Sequence, residues 1–289
     1  MAHTILSKIK NLFLLSAIVF FAGMLIPGRN VQAATAGVYT LATGKQYTQY
    51  DVTGDGKADK VKLTATGLSW DYNAPPSTLK IKVNGKTAYT LKTTIGVYEF
   101  DVKLLTLSNG KAYLFLDAAA DADMYHVTYI LQYKKSSGKF KIVYDIQNLF
   151  QKYNPYVIAE SQSVSGKKIV IRLNFMNYTL GGVYCDLTFK YESGSLTQKA
   201  SMSISKIVSN RTNSGRTLTA NKSMTAYKTA TLKSKSFTIT AGTKVTVSAF
   251  SYKNGKLAIK VQANGKTGWI AAATSYSSTQ PFKEVYYAG

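Results

Sequence analysis

From about residue 37 onward, the chain alternates apolar and polar residues in short runs, and glycine-containing turn pairs break these runs at close intervals. In "LKIKV", Leu79, Ile81 and Val83 fall on one side of an extended chain and Lys80 and Lys82 on the other; "KKIVIRLNF" repeats the pattern with Ile169, Ile171, Leu173 and Phe175. A period of two matches a pleated strand with one buried face. Between the runs stand Asn84-Gly85, Asn109-Gly110, Ser137-Gly138, Ser165-Gly166, Ser193-Gly194, Asn254-Gly255 and Asn264-Gly265. Such pairs supply the positive φ that tight hairpins require. Helical periodicity is scarce. The expectation is an all-β protein of antiparallel hairpins.

Three stretches can be superimposed by pattern: residues about 38–92, 97–147 and 156–198, each with an alternating strand ("DKVKL", "KAYLFL", "KKIVIRL") and a hairpin before a closing strand. This predicts an N-terminal propeller-like or sandwich domain over 34–204. The text then shifts to "SKIVSNRTNSGRTLTANKS", rich in Ser, Thr, Asn and Gly, which reads as a linker over 205–216. Residues 217–289 carry strands and turns of their own, enough for a small C-terminal barrel.

The first 33 residues place Lys8 and Lys10 before an apolar run from Leu12 to Ile26 and then a small-residue stretch ending at Ala33. That order is the pattern of a secretory signal, and the run is short for a spanning helix of about 20 residues. The sequence therefore predicts an exported chain with no transmembrane segment after cleavage. Cleavage removes Lys8, Lys10 and Arg29 and lowers the formal net charge from +22 to +19. A surface so basic attracts polyanions, which outside a cell are anionic wall polymers, acidic polysaccharides, lipid headgroups or nucleic acid. The alternative is that the lysines only guard strand edges against unwanted pairing. The single cysteine, Cys185, excludes an intramolecular disulfide, which suits a Gram-positive-type bacterium. In "GVYCDLTFK" it shares a face with Val183, Leu187 and Phe189, as a small core residue would.

The stretch "DVTGDGKAD" sets oxygen-bearing residues at Asp51, Thr53, Asp55 and Asp59, with Gly56 at the bend and the Lys57 carbonyl available. Calcium takes six to eight oxygens, and alternate positions on a tight loop converge on one point. Lys62 stands where an EF-hand needs glutamate, and a strand follows instead of a helix. The loop resembles the aspartate-rich loops of integrin-type propeller repeats (FG-GAP/VCBS-like). That resemblance implies a structural calcium ion held by Asp51, Thr53, Asp55, Lys57 and Asp59. An ordinary Asp-Gly turn with solvated carboxylates is the alternative.

A second acidic group, Asp117, Asp121 and Asp123, lies between two strands, and reads as a soluble connection, a cation site or a pair of catalytic carboxylates. Past the signal, His126 is the only histidine. With one histidine and one core-facing cysteine, neither a nucleophile–base pair nor a zinc site can be assembled in its usual form. Glycoside hydrolysis by carboxylates alone is the catalytic option left. No phosphate-binding glycine loop appears, and nothing marks specific nucleic-acid recognition.

In the C-terminal segment, "AGTKVTVS" (Gly242, Val245, Val247) and "IKVQANGKTGWI" (Ile259, Val261, Gly265, Gly268, Trp269, Ile270) resemble the bacterial SH3-like (SH3b) domain. The resemblance implies a small barrel that binds peptidoglycan or its peptides. Tyr227, Tyr252 and Trp269 are the aromatics expected near its groove, with core filling the other role open to Trp269. Together these readings predict a non-catalytic, wall- or surface-associated binding protein. The alternative is a secreted carbohydrate-active enzyme or polysaccharide-binding adhesin.

Overall fold

The computed structural model describes residues 35–71, 73–120, 126–153, 156–208 and 215–285. Residues 1–33, expected to be a secretory signal, and Asp121 and Asp123 lie outside the described residues. Among the described residues, twenty strands, all paired antiparallel, form three sheets, and the expected all-β class holds.

The first sheet is a four-stranded meander of β2 (Gln46–Tyr50), β3 (Asp59–Thr66), β4 (Thr78–Val83) and β5 (Lys86–Lys92). The second is ordered β1-β6-β7-β8-β9, from β1 (Gly37–Thr40), β6 (Glu99–Thr106), β7 (Ala112–Ala119), β8 (His126–Lys134) and β9 (Lys139–Asp145). Two of the repeat units thus close as separate meanders. The exception is β1, which leaves its own unit to pair with β6, Val38 opposite Leu105.

Alternation explains how these sheets stack. On β7, Leu114, Leu116 and Ala118 join a core shared with Val61, Leu63, Leu79 and Ile81 of the first sheet. Tyr113 and Phe115, on the opposite face, join the core shared with Ile171, Leu173 and Phe175. The second sheet is therefore buried on both faces. This is why "AYLFL" is apolar at successive positions, whereas "TLKIKV" alternates cleanly on a sheet with one wet face.

The third sheet opens with β10 (Val157–Ser165), β11 (Lys168–Asn177) and β12 (Gly181–Glu192), joined at its side by β13 (Ser195–Gln198). Val183, Cys185, Leu187 and Phe189 are fully buried on β12, as the alternation predicts, and burial pushes the Cys185 thiol far above its ordinary pKa. The sheet does not stop there. β14 (Ser201–Ile207) pairs with β12 on one side and with β18 (Lys244–Lys253) on the other. Residues 205–207, expected to begin a linker, are strand, and their exposed Ser and Lys mask an alternation in which Met202, Ile204 and Ile207 are buried.

From β18 the sheet continues through β19 (Lys256–Ala263), β20 (Lys266–Ala271), β16 (Met224–Tyr227) and β17 (Lys235–Ile239), with β15 (Thr217–Thr219) also on β18. This segment is stranded as expected, but no closed barrel forms; the strands are an open run within an 11-stranded sheet. The turn chemistry is as expected: Asn84 and Gly85 have φ of 51° and 81°, and Asn254-Gly255 and Asn264-Gly265 do likewise.

A short helix, α1 (Ile146–Phe150), runs into a 3₁₀ turn (Gln151–Tyr153) that fastens the earlier strands to the C-terminal ones. Phe150 packs on Phe175 at 4.8 Å and on Tyr252 at 5.0 Å between ring centroids. The Tyr153 hydroxyl donates to the Gly255 carbonyl (3.2 Å) and accepts from the Leu257 amide (2.8 Å).

Candidate functional site

The acidic loop between β2 and β3 is built around two carboxylates that cap its backbone. Asp59, only 2% exposed, accepts the Val52 and Thr53 amides on Oδ2 (2.8 and 2.9 Å) and the Asn84 side-chain amide on Oδ1 (2.7 Å). Asp51 accepts the amides of Gly54 (2.6 Å) and Asp55 (3.1 Å) on Oδ1 and that of Gly56 (2.8 Å) on Oδ2. Thr53 Oγ1 lies 3.4 Å from both Asp51 Oδ1 and Asp59 Oδ1. Three of the five predicted ligands, Asp51, Thr53 and Asp59, therefore converge. Asp55 instead accepts the Lys57 amide on its Oδ1 (2.9 Å), as in an Asx turn. Among the described residues, no group of three or more His, Cys, Asp and Glu side chains gathers as a metal cage.

Beside this loop a cavity of about 320 Å³ is lined by Thr53, Gly54, Lys111, Gln132, Tyr133 and Lys135. Lys135 Nζ donates to the Gly54 carbonyl at 2.8 Å, which ties the loop to the β8–β9 hairpin of the neighbouring sheet.

The predicted aromatic trio divides. Tyr227 on β16 stands directly across from Trp269 on β20, and Trp269 is in turn opposite Lys260. Tyr227 also lines a cavity of about 350 Å³ with Lys222, Met224, Thr225, Ile270 and Pro281. Tyr252 does not join them. It shares the inner face of β18 with Phe250 and packs on Phe150, where burial raises its hydroxyl pKa. Trp269 is half-buried, on the face opposite its neighbour Ile270, which belongs to the core.

The C-terminal tail closes this region by strapping itself to β15. Glu284 accepts the Thr219 amide (2.7 Å) and hydroxyl (2.5 Å), Lys283 N donates to the Thr219 carbonyl (3.0 Å), and Ala220 bridges Phe282. Burial alone would raise the Glu284 pKa, but these hydrogen bonds and the nearby Lys244 hold it below the usual carboxylate value.

The sequence does not reveal a partner for His126. Asp117 provides one: His126 Nε2 lies 3.1 Å from Oδ1 and 3.2 Å from Oδ2, and Thr128 Oγ1 donates to Oδ1 at 2.6 Å. The signal lay in hairpin register, since Asp117 stands opposite Thr128 and Ala119 opposite His126. The carboxylate orients the imidazole at a cavity of about 230 Å³ lined also by Asp145, Gln147, Asn148 and Gln151. Asp145 is committed in part to capping α1 through the Asn148 amide (3.0 Å).

No family model, curated protein or solved structure matches this chain.

Proposed function

We propose that the protein is an exported, non-catalytic binding protein of a Gram-positive-type cell wall or surface, with a basic SH3-like segment that contacts peptidoglycan or anionic wall polymers. The observation that carries this reading is Tyr227, which lines a cavity of about 350 Å³ and stands across from Trp269 on the neighbouring strand. Aromatic faces with a few polar and basic neighbours are what a peptide or sugar ligand needs. The excess of lysine adds long-range attraction to anionic polymers.

Calcium fits this account as a brace. Asp51, Thr53 and Asp59, already converged, would hold the ion together with Asp55 and the Lys57 carbonyl. Bound there, it would supply positive charge that cross-links the β2–β3 connection.

Deleting the C-terminal strands would strip β14 of its β18 partner, so point substitutions are the cleaner test. Mature protein is sedimented with purified Gram-positive walls, with and without teichoic acid, at low and high salt. Salt-resistant binding to stripped walls that falls in the Tyr227→Ala, Trp269→Ala double variant supports the reading. Binding that vanishes with salt or with teichoic acid reduces the interaction to charge. The second reading, a secreted carbohydrate-active enzyme, draws on the His126–Asp117 pair and its cavity. Cleavage of dye-labelled glycans that is lost in His126→Ala would establish it.

A further inference from the structure

Trp70 belongs to neither the acidic loop nor the C-terminal strands. It lies in the connection between β3 and β4, is 76% exposed, and stacks on Tyr98 with ring centroids 4.6 Å apart and planes 8° apart. One face of the indole is thus covered by the phenol ring, and the pair makes a flat plate.

The plate is mounted firmly. Ser69 N donates to the Val97 carbonyl (2.9 Å) and Gly96 N to the Ala74 carbonyl (3.0 Å), so the two loops that carry Trp70 and Tyr98 are laced together. The buried Ser77 hydroxyl donates to the Gly67 carbonyl (2.6 Å) and accepts the Val97 amide (2.9 Å). A Cβ on Gly96 would come within 2.9 Å of the Ala74 Cβ, which leaves room only for glycine at this close approach. An aromatic plate held in place this way loses little entropy on binding a ligand.

The chemistry around the plate selects the ligand. The chain is strongly basic, yet segments 67–77 and 93–99 contain no Lys or Arg, and they carry Asp71 and Glu99. That charge disfavours phosphate or sulfate polymers and the backbone of a nucleic acid. Among the described residues of the two loops, the large apolar side chains that are exposed are Leu68 and Trp70. This is far below the roughly 800 Å² per partner of a stable protein interface. Ser69 and Asp71 flank Trp70 in the chain; the Ser69 hydroxyl accepts the Asp71 amide (3.0 Å) and Asp71 Oδ1 accepts the Asn73 amide (2.9 Å).

We propose that Trp70, backed by Tyr98, is a stacking platform for a pyranose ring of an uncharged polysaccharide, a second binding site distinct from the Tyr227–Trp269 face. The proposal rests on the reading that the protein works among extracellular glycans, and it does not depend on the C-terminal cavity. The test uses the full mature chain at high salt, titrated with cellohexaose and chitohexaose and sedimented with insoluble cellulose and chitin. In Trp269→Phe, Trp70 is the only tryptophan, and its fluorescence should shift on saturation with at least one of the two oligosaccharides. Trp70→Ala should weaken binding by about tenfold or more and Trp70→Phe by less, while loss of the stack on Tyr98 lowers the melting temperature by only a few degrees, about 2–4 °C. The proposal is overturned if the wild-type protein binds none of these glycans, or if Trp70→Ala binds as well as wild type. Loss of wall binding in the Tyr227, Trp269 variant with unchanged glycan binding would leave the two sites separate. Glycan binding that survives Trp70→Ala but is lost with Tyr227 and Trp269 would assign it to the C-terminal face alone.

Discussion

Trp70 and Trp269, the two tryptophans of the chain, sit in contrasting settings. Trp269 is on a strand, half-buried, across from Tyr227 and next to a core isoleucine. Trp70 is on a loop, mostly exposed, and its position depends on hydrogen bonds between two connections. The same contrast holds for the carboxylate clamps. Asp59 gathers a loop in the N-terminal layers, whereas Glu284 pins the tail onto β15 in the C-terminal strands. In the C-terminal strands the local geometry follows from sheet register. In the N-terminal layers the loops must build their own support, and the side chains they display are freer to serve recognition.

The sharpest way to break the comparison is to ask whether the two regions are separable. Phe150 sits where they meet, and Phe150→Ala should cost about 3–5 kcal/mol. Denaturant unfolding followed by near-UV circular dichroism should still show one transition at a lower midpoint. A split into two transitions would mean that the regions are coupled only through that ring.

Next in size is Asp59→Ala. It leaves the Val52 and Thr53 amides and the Asn84 side chain without their shared acceptor, for about 3 kcal/mol. Asp55→Ala should leave the metal-free melting temperature almost unchanged but abolish any rise with calcium. A melt indifferent to calcium and to chelation in the wild-type protein would remove the ion from the account while leaving the Asp59 clamp intact.

Glu284→Ala should cost about 1–2 kcal/mol at neutral pH. Because the folded carboxyl has a lowered pKa, its contribution is present above the unfolded value of about 4.3 and is lost as pH falls through the folded one. The wild-type and variant stability curves should therefore merge in acid. The smallest effect belongs to Tyr113. Its hydroxyl is buried with no hydrogen-bond partner among the described residues, and burial raises its pKa to about 12. Tyr113→Phe should be neutral or stabilising by no more than about 1 kcal/mol in a thermal melt.

These residues also show what the sequence makes legible. Strands with one wet face could be read directly, as "KKIVIRLNF" and "GVYCDLTFK" were, because burial and period coincide along a single strand. The centre of the stack could be read only as strand, because both faces of β7 are covered. Non-local pairings were not readable. β1 bypasses its own meander, and β14 joins sheet segments that composition had separated, since backbone pairing leaves little mark on side-chain type. At the acidic loop, spacing located Asp51, Thr53 and Asp59 together but not the Asx turn that occupies Asp55. Trp70 carries no periodic signal at all, and His126 gains a partner only once the register of β7 and β8 is known.

Specific recognition and charge alone differ in how binding responds to salt. The most direct measurement is a binding isotherm of the mature protein on teichoic-acid-free walls from low salt to about 1 M, where screening shortens to about 3 Å. Specific recognition gives a plateau of saturable binding that survives at high salt and falls with substitution of Tyr227 and Trp269. A steady decline to nothing with salt, identical in wild type and variant, would contradict it.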